Sequence, residues 1–284
     1  MFNNITVLSL FDGLSCGQIA LERAGIKVKQ YYASEIDKYA IKITQKNYPQ
    51  TIQLGDVLQV NGIELLNVDL LIGGSPCNGF SSSGKQLNFD DPRSQLFFEY
   101  VRLLEQTHPK YFLFENVIMK KESQDIISEF LGVQPIHINS SLVSAQHRRR
   151  LYWTNIPGIE QPEDLGITWK NIREFDVAQN FYYTQTGLDW LNAYGEKIGK
   201  KLPVIGNDEK IQTVEANHFR NYSHQRFFAI DDVKGLRYIT PLECERAQTI
   251  PDNYTKGVSN SQRYKMIGNG WTVDVIAHIL KYLK

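Results

Sequence analysis

The stretch Asp69-Leu70-Leu71-Ile72-Gly73-Gly74-Ser75-Pro76-Cys77-Asn78-Gly79-Phe80-Ser81 constrains the fold more than any other part of the chain. Leu70 to Ile72 is a short apolar run bounded by turn formers, the pattern of a buried strand. Gly73-Gly74 ends it, and Pro76 fixes φ for the turn that follows. Cys77 is thereby delivered to the carboxyl end of a strand, where open α/β sheets place their ligands. Gly79 to Lys85 then form a small, polar loop able to close over a substrate. A Pro-Cys pair taken alone more often describes an inert core thiol than a nucleophile, so the flanking elements have to decide.

Those elements repeat one theme. Thr6 to Leu10 reads as a buried strand that runs through Phe11-Asp12-Gly13-Leu14-Ser15-Cys16-Gly17 into a helix carrying Ile19, Ala20, Leu21 and Ala24. Strand, glycine turn and helix present backbone N–H groups and a positive helix end to a ligand. The spacing is not GxGxxG, so a plain turn and a nucleotide site both stay open at this point. A second strand, Val28 to Ser34, ends at Glu35-Ile36-Asp37. A carboxylate there suits the two hydroxyls of a ribose, while Asp37 is placed to cap a helix from Lys38 to about Asn47. Gly55-Asp56-Val57 follows a short strand, and Asp56 could accept from an adenine amino group. Acidic and glycine features at successive strand ends favour a nucleoside-bearing cofactor without naming it.

Beyond the Cys77 loop, a helix from Arg93 to about Thr107 sets Leu96, Phe97, Tyr100, Val101 and Leu104 on one face. Tyr111 to Phe114 is the next strand and ends at Glu115-Asn116-Val117. In a doubly wound sheet Glu115 sits beside the Cys77 strand tip, where desolvation favours a protonated, proton-donating carboxyl. A helix containing Ile126, Ile127, Phe130 and Leu131 leads to the strand Ile136 to Ile138 and then to Gln146-His147-Arg148-Arg149-Arg150-Leu151-Tyr152-Trp153. On a strand, Arg148 and Arg150 share one face and Arg149 takes the other. A solvated edge is the plainer reading of three arginines.

Charge excludes a global field: 31 basic and 31 acidic residues sum to zero, so nucleic-acid binding would need local basic patches. A hydrophobic content of 42% supports a sizeable core. Three cysteines without CxxC spacing argue against a disulfide framework or a zinc site, and no metal is expected. The start lacks a signal peptide's basic region and no apolar run is long enough to span a membrane, so a soluble intracellular, cytoplasmic protein is expected. From Gly158 to about Gly235 the pattern weakens into aromatics mixed with lysines and arginines, and Asn217 to Arg226 reads as a base- and phosphate-contacting segment or a solvated loop. Thr240-Pro241-Leu242-Glu243 is a capping box with Pro at the first helical position. Cys244 and Ala247 point inward, and Val273 to Leu283 form a closing amphipathic helix.

Phe11-x-Gly13, Glu35, Asp56-Val57, Pro76-Cys77, Glu115-Asn116-Val117, Gln146-x-Arg148-x-Arg150 and Gly268-Asn269-Gly270 occur in that order. Together they resemble the DNA cytosine-5 methyltransferases, including the animal de novo enzymes and, in the tail, bacterial and phage ones. Ser15 and Cys16 stand where the family often has Gly-Gly. The resemblance implies an α/β fold: a doubly wound, Rossmann-like S-adenosylmethionine-dependent methyltransferase domain over 1–157, a smaller target-recognition domain over 158–261, and a return to the first domain over 262–284.

It also implies roles. Cys77 would add to C6 of a flipped-out cytosine, Glu115 would hold and protonate N3, Arg150 would contact O2, and Arg148 would help hold the site together. Phe11, Gly13, Leu14, Ser15, Cys16, Glu35, Ile36, Asp56, Val57, Leu96, Asn269 and Trp271 would surround S-adenosylmethionine. Ser81, Lys85, Arg149, Arg220 and Arg226 would contact DNA, in duplex form, and a restriction-modification role is implied. A transfer-RNA methyltransferase shares these motifs but carries Cys-Phe-Thr in its small domain, whereas Cys244 is followed by Glu245. A non-catalytic DNA-binding homologue would be expected to lose Cys77 or Glu115. A nicotinamide-dependent dehydrogenase explains Glu35 but neither Pro76-Cys77 nor the arginines.

Overall fold

Strand β1 (Ile5–Leu10) lies between β2 (Val28–Ser34) and β4 (Leu70–Gly73), parallel to both. The computed structural model that gives this arrangement describes residues 4–65, 67–75, 92–217 and 228–283. Adding β3 (Ile52–Gln53), β5 (Tyr111–Val117), β6 (Ile136–Asn139) and β7 (Arg149–Thr154) yields a seven-stranded sheet of order β3-β2-β1-β4-β5-β7-β6. The chain winds outward from β1 to β3, then crosses back to start again at β4. The carboxyl ends of β1 and β4 therefore flank a topological switch point, the place where such sheets bind ligands. Strand β7 runs antiparallel to both β5 and β6, a direction the apolar pattern does not encode.

The strands are short apolar runs because both sheet faces are covered. Helices α1 (Cys16–Arg23), α2 (Lys38–Asn47), α3 (Pro92–Thr107) and α4 (Lys121–Leu131) alternate with them. Asp37 caps α2 as expected, accepting from Tyr39 N–H at 2.9 Å. Phe97 and Tyr100 of α3 are fully buried against Phe114 of β5, with ring centroids 5.4 and 4.8 Å away. Each such ring contributes roughly 1.5–3 kcal/mol of burial.

The chain forms two compact units. The first, comprising Met1–Asn139, Arg149–Pro162 and Asp274–Lys284, holds the large sheet; Arg23 of α1 meets Asp274 of the closing helix there at 2.6 Å. The second, Ser140–Arg148 and Glu163–Val273, contains α5 (Trp169–Ile172), α6 (Gln185–Lys197), a small sheet of β8 (Val204–Ile205), β9 (Ala229–Asp232) and β10 (Gly235–Arg237), then α7 (Pro241–Ala247) and α8 (Asn260–Asn269). The capping box on α7 is present: Thr240 and Glu243 bond reciprocally, and Cys244 and Ala247 are fully buried. The closing helix, α9, spans Val273–Leu280.

The divisions between the two units fall at 139/140, 148/149, 162/163 and 273/274. Gln146 and Arg148 are spent inside the second unit. Gln146 Nε2 donates to the carbonyl of Ala247 at 2.6 Å, and Arg148 donates to those of Val214, Gly268 and Gly270 at 2.9, 3.1 and 2.9 Å.

Candidate active site

Strand register builds the site. Leu10 lies opposite both Ser34 and Gly73, and Gly73 lies opposite Phe114, so three strand ends share a row with the middle of β5, which runs on past the expected end at Phe114 to Val117. The next residues along are Phe11, Glu35, Gly74 and Glu115. Gly73 allows close packing there, since a Cβ would stand 3.0 Å from the Leu10 carbonyl and 3.1 Å from the Tyr100 ring, so the neighbours would have to give by a few tenths of an ångström.

The turn after β1 is held by Glu35 and by Asp12. Gly13 N–H donates to Glu35 Oε2 at 2.7 Å, while Oε1 accepts from the N–H groups of Ile36 and Asp37, each at 2.7 Å. The expected ribose-binding carboxylate is thus also the bracket joining two strand ends. Phe11, Gly13 and Ser15 all adopt positive φ, near 60°. Asp12, which sequence reading passed over, accepts from the hydroxyls of Tyr31 (2.8 Å) and Ser15. Burial pushes its carboxyl up to about 6, against the hydrogen bonds from Ser15, Ser9 and Tyr31. The signal was visible as an acidic residue inside an otherwise apolar, glycine-bearing turn.

Ser34 Oγ donates to Gly55 O at 2.8 Å, tying β2 to the segment before Asp56. Asp56 is exposed and uses Oδ1 to cap a short 3-10 turn, Val57–Gln59, through Leu58 N–H. Arg102 of α3, also missed, donates to the carbonyls of Val57 and Val60 at 3.2 and 3.0 Å and so anchors that turn. Phe11 and Leu96 are partly buried against the core, and Ile36 is 74% exposed beside Glu35. Leu14, Cys16 and Val57 are buried side chains, so a ligand would meet their main chain.

At the other end of the row, Asn116 is buried and reaches the Ser75 carbonyl at 3.5 Å, linking the tip of β5 to the turn that precedes Pro76. Glu115 Oε1 lies 3.0 Å from Arg150 Nε. Antiparallel β7 brings this guanidinium to the carboxyl, a partner that the sequence around Glu115 does not name. One correction concerns the arginines. Strand β7 begins at Arg149, so Arg148 precedes it and does not share a strand face with Arg150. Arg148 is buried on three carbonyls in the second unit, Arg149 is exposed, and Arg150 belongs to the first unit. Gly268 must be glycine, because a Cβ would come within 2.1 Å of Ala216 N. Asn269 and Trp271 follow it in the second unit. Cys77, Ser81, Lys85, Arg220 and Arg226 lie outside the described residues.

The family model described as C-5 cytosine-specific DNA methylase matches residues 5–152 and 135–284. The chain is 30% identical to Type II methyltransferase M1.ScrFI of Lactococcus lactis subsp. cremoris over 299 residues, which is 95% of this chain and 75% of that protein. It is 27% identical to Type II methyltransferase M.NlaX of Neisseria lactamica over 301 residues, covering 98% and 96%. Among solved structures, Entamoeba histolytica methyltransferase EhMeth shares the fold, with a TM-score of 0.82 at 20% identity over 98% of this chain and 97% of that one.

Proposed function

The chain belongs to the C-5 cytosine-specific DNA methylase family, and from that premise we propose that it methylates C5 of a flipped-out cytosine in duplex DNA, using S-adenosylmethionine and a covalent bond to Cys77. One observation carries this reading: the shared register of Leu10, Gly73 and Phe114, which brings Phe11, Gly74 and Glu115 side by side on adjacent chain segments. The donor set fits the cofactor. Phe11 offers a partly exposed ring for adenine, Glu35 retains lone pairs beyond its three backbone bonds for ribose hydroxyls, and Asp56 has Oδ2 for an amino group. Leu96 would pack against the nucleoside, and Asn269 and Trp271 would serve the methionine end. The bound sulfonium supplies an electrophilic methyl group.

The Cys77 thiolate forms a bond to C6, and the 5,6 double-bond pair shifts to C5, making that carbon a nucleophile. Glu115, steadied by Arg150, holds N3 and the exocyclic amine and gives N3 a proton as charge arrives. C5 takes the methyl group, whose former bonding pair stays on the donor sulfur. Loss of the C5 proton then restores the double bond, the C6–S pair returns to Cys77, and N3 gives back its proton. The reacting carbon is unreachable in a stacked duplex, so the base must leave the helix, at a cost of a few kcal/mol. Ser81, Lys85, exposed Arg149, Arg220 and Arg226 would offset that cost through phosphate contacts.

Incubation with methyl-labelled S-adenosylmethionine and either duplex DNA or transfer RNA tests the reading. Label in cytosine of DNA is expected. Label confined to transfer RNA would move the activity to the rival substrate, although Cys244 is fully buried and followed by Glu245. No transfer to either would overturn the enzyme assignment. Duplex carrying 5-fluorocytosine should trap a protein–DNA adduct in the presence of cofactor.

A further inference from the structure

Ser15 adopts a backbone conformation that glycine takes most easily: φ 62°, ψ 41°. That left-handed conformation is disfavoured for any residue with a Cβ. The side chain, fully buried, is engaged on every side. Its hydroxyl donates to Asp12 Oδ2, and its oxygen accepts from Gln18 Nε2 and Thr44 Oγ1, each at 3.2 Å. Asp12 Oδ1 in turn accepts from Tyr31 on β2 at 2.8 Å, and the Asp12 carbonyl accepts from Ser15 N–H at 3.1 Å. The hydroxyl–carboxylate bond thus closes a ring across a turn in which Phe11 and Gly13 also have positive φ.

We propose that Asp12 is a positioning residue for the cofactor: with Tyr31 it latches Ser15 in a glycine-like conformation and so holds the turn from Phe11 to Ser15 open to S-adenosylmethionine. This rests on the proposed cofactor site. Asp12 needs no contact with the cofactor; it acts through Ser15. The latch compensates for the Cβ that Ser15 brings, so it becomes dispensable once that Cβ is removed.

The test is calorimetric binding of S-adenosylhomocysteine to the full chain, with thermal unfolding measured alongside. Asp12→Ala is expected to bind about tenfold more weakly than the unsubstituted protein, and Asp12→Ala/Ser15→Gly to regain about that factor. A double variant as weak as Asp12→Ala would mean that Asp12 acts only through general stability, and would overturn the latch. Should Asp12→Ala not fold, Ser15→Ala against Ser15→Gly carries the same contrast: both lack the hydroxyl, and the glycine variant should bind the tighter. Equal affinities for that pair would overturn the proposal. Binding of the unsubstituted chain with Asp12→Ala unchanged overturns the latch alone, whereas no binding by the unsubstituted chain overturns the cofactor site with it.

Discussion

Glu115 and Arg150 are diagonal neighbours on antiparallel strands: Glu115 pairs with Tyr152, Val117 pairs with Arg150, and Oε1 meets Nε at 3.0 Å. Both side chains are largely buried, so the ion pair offsets part of the water each has lost. Arg150→Ala should therefore lower stability by roughly 1–3 kcal/mol and slow methyl transfer. Glu115→Gln should slow single-turnover methylation by about 10²–10⁴-fold while S-adenosylhomocysteine affinity changes little. An unchanged rate in Glu115→Gln would remove that carboxyl from the chemistry.

Cys77→Ser should keep cofactor and DNA binding, lose turnover, and form no adduct with 5-fluorocytosine duplex. Serine is too weak a nucleophile at its ordinary pKa to add to C6 without a base. Appreciable turnover in this variant would contradict the covalent route.

Gly268→Ala should destabilise the second unit by about 3 kcal/mol or more, because the new methyl would meet main-chain atoms of Glu215 and Ala216 that cannot step aside. Gly132→Ala is the comparison. Its residue ends α4 at φ 69° with nothing nearby, so only the left-handed strain of about 1–2 kcal/mol applies. Urea unfolding of both variants gives the two numbers.

Asp12 predicts a pH dependence of stability. Its carboxyl ordinarily titrates near 3.8 and is pushed up to about 6, chiefly by burial, with Glu35 adding repulsion. A raised carboxyl binds its proton more tightly in the folded state, so its contribution is full below about 3.8 and is lost as pH rises through about 6. The loss is on the order of 3 kcal/mol. Subtracting the unfolding curve of Asp12→Asn from that of the unsubstituted protein should isolate it; a flat difference between pH 4 and 7 would refute it.

DNA affinity should fall steeply with salt although the chain carries no net charge, since phosphate contacts are local. A flat log–log plot would remove the phosphate contacts assigned to Lys85, Arg149, Arg220 and Arg226.

Much of this protein is written in short windows of sequence. The limits of β2, the cap on α2 and the capping box on α7 follow from neighbours a few residues apart, through side-chain period and fixed φ. The order of the motifs pointed to the family for the same reason. What the tertiary structure alone decided is partnership. Nothing near Glu115 in sequence announces Arg150; the antiparallel entry of β7 does. Gln146, Arg148 and Arg150 look like one motif, yet two of them are spent on carbonyls of the second unit while the third joins the first. Nothing beside Asp12 in the sequence names Tyr31, which β2 brings to it. Local sequence sets which conformations a segment can adopt, but a charged or polar side chain is defined by the group that replaces its water, and that group comes from whichever strand the fold lays alongside.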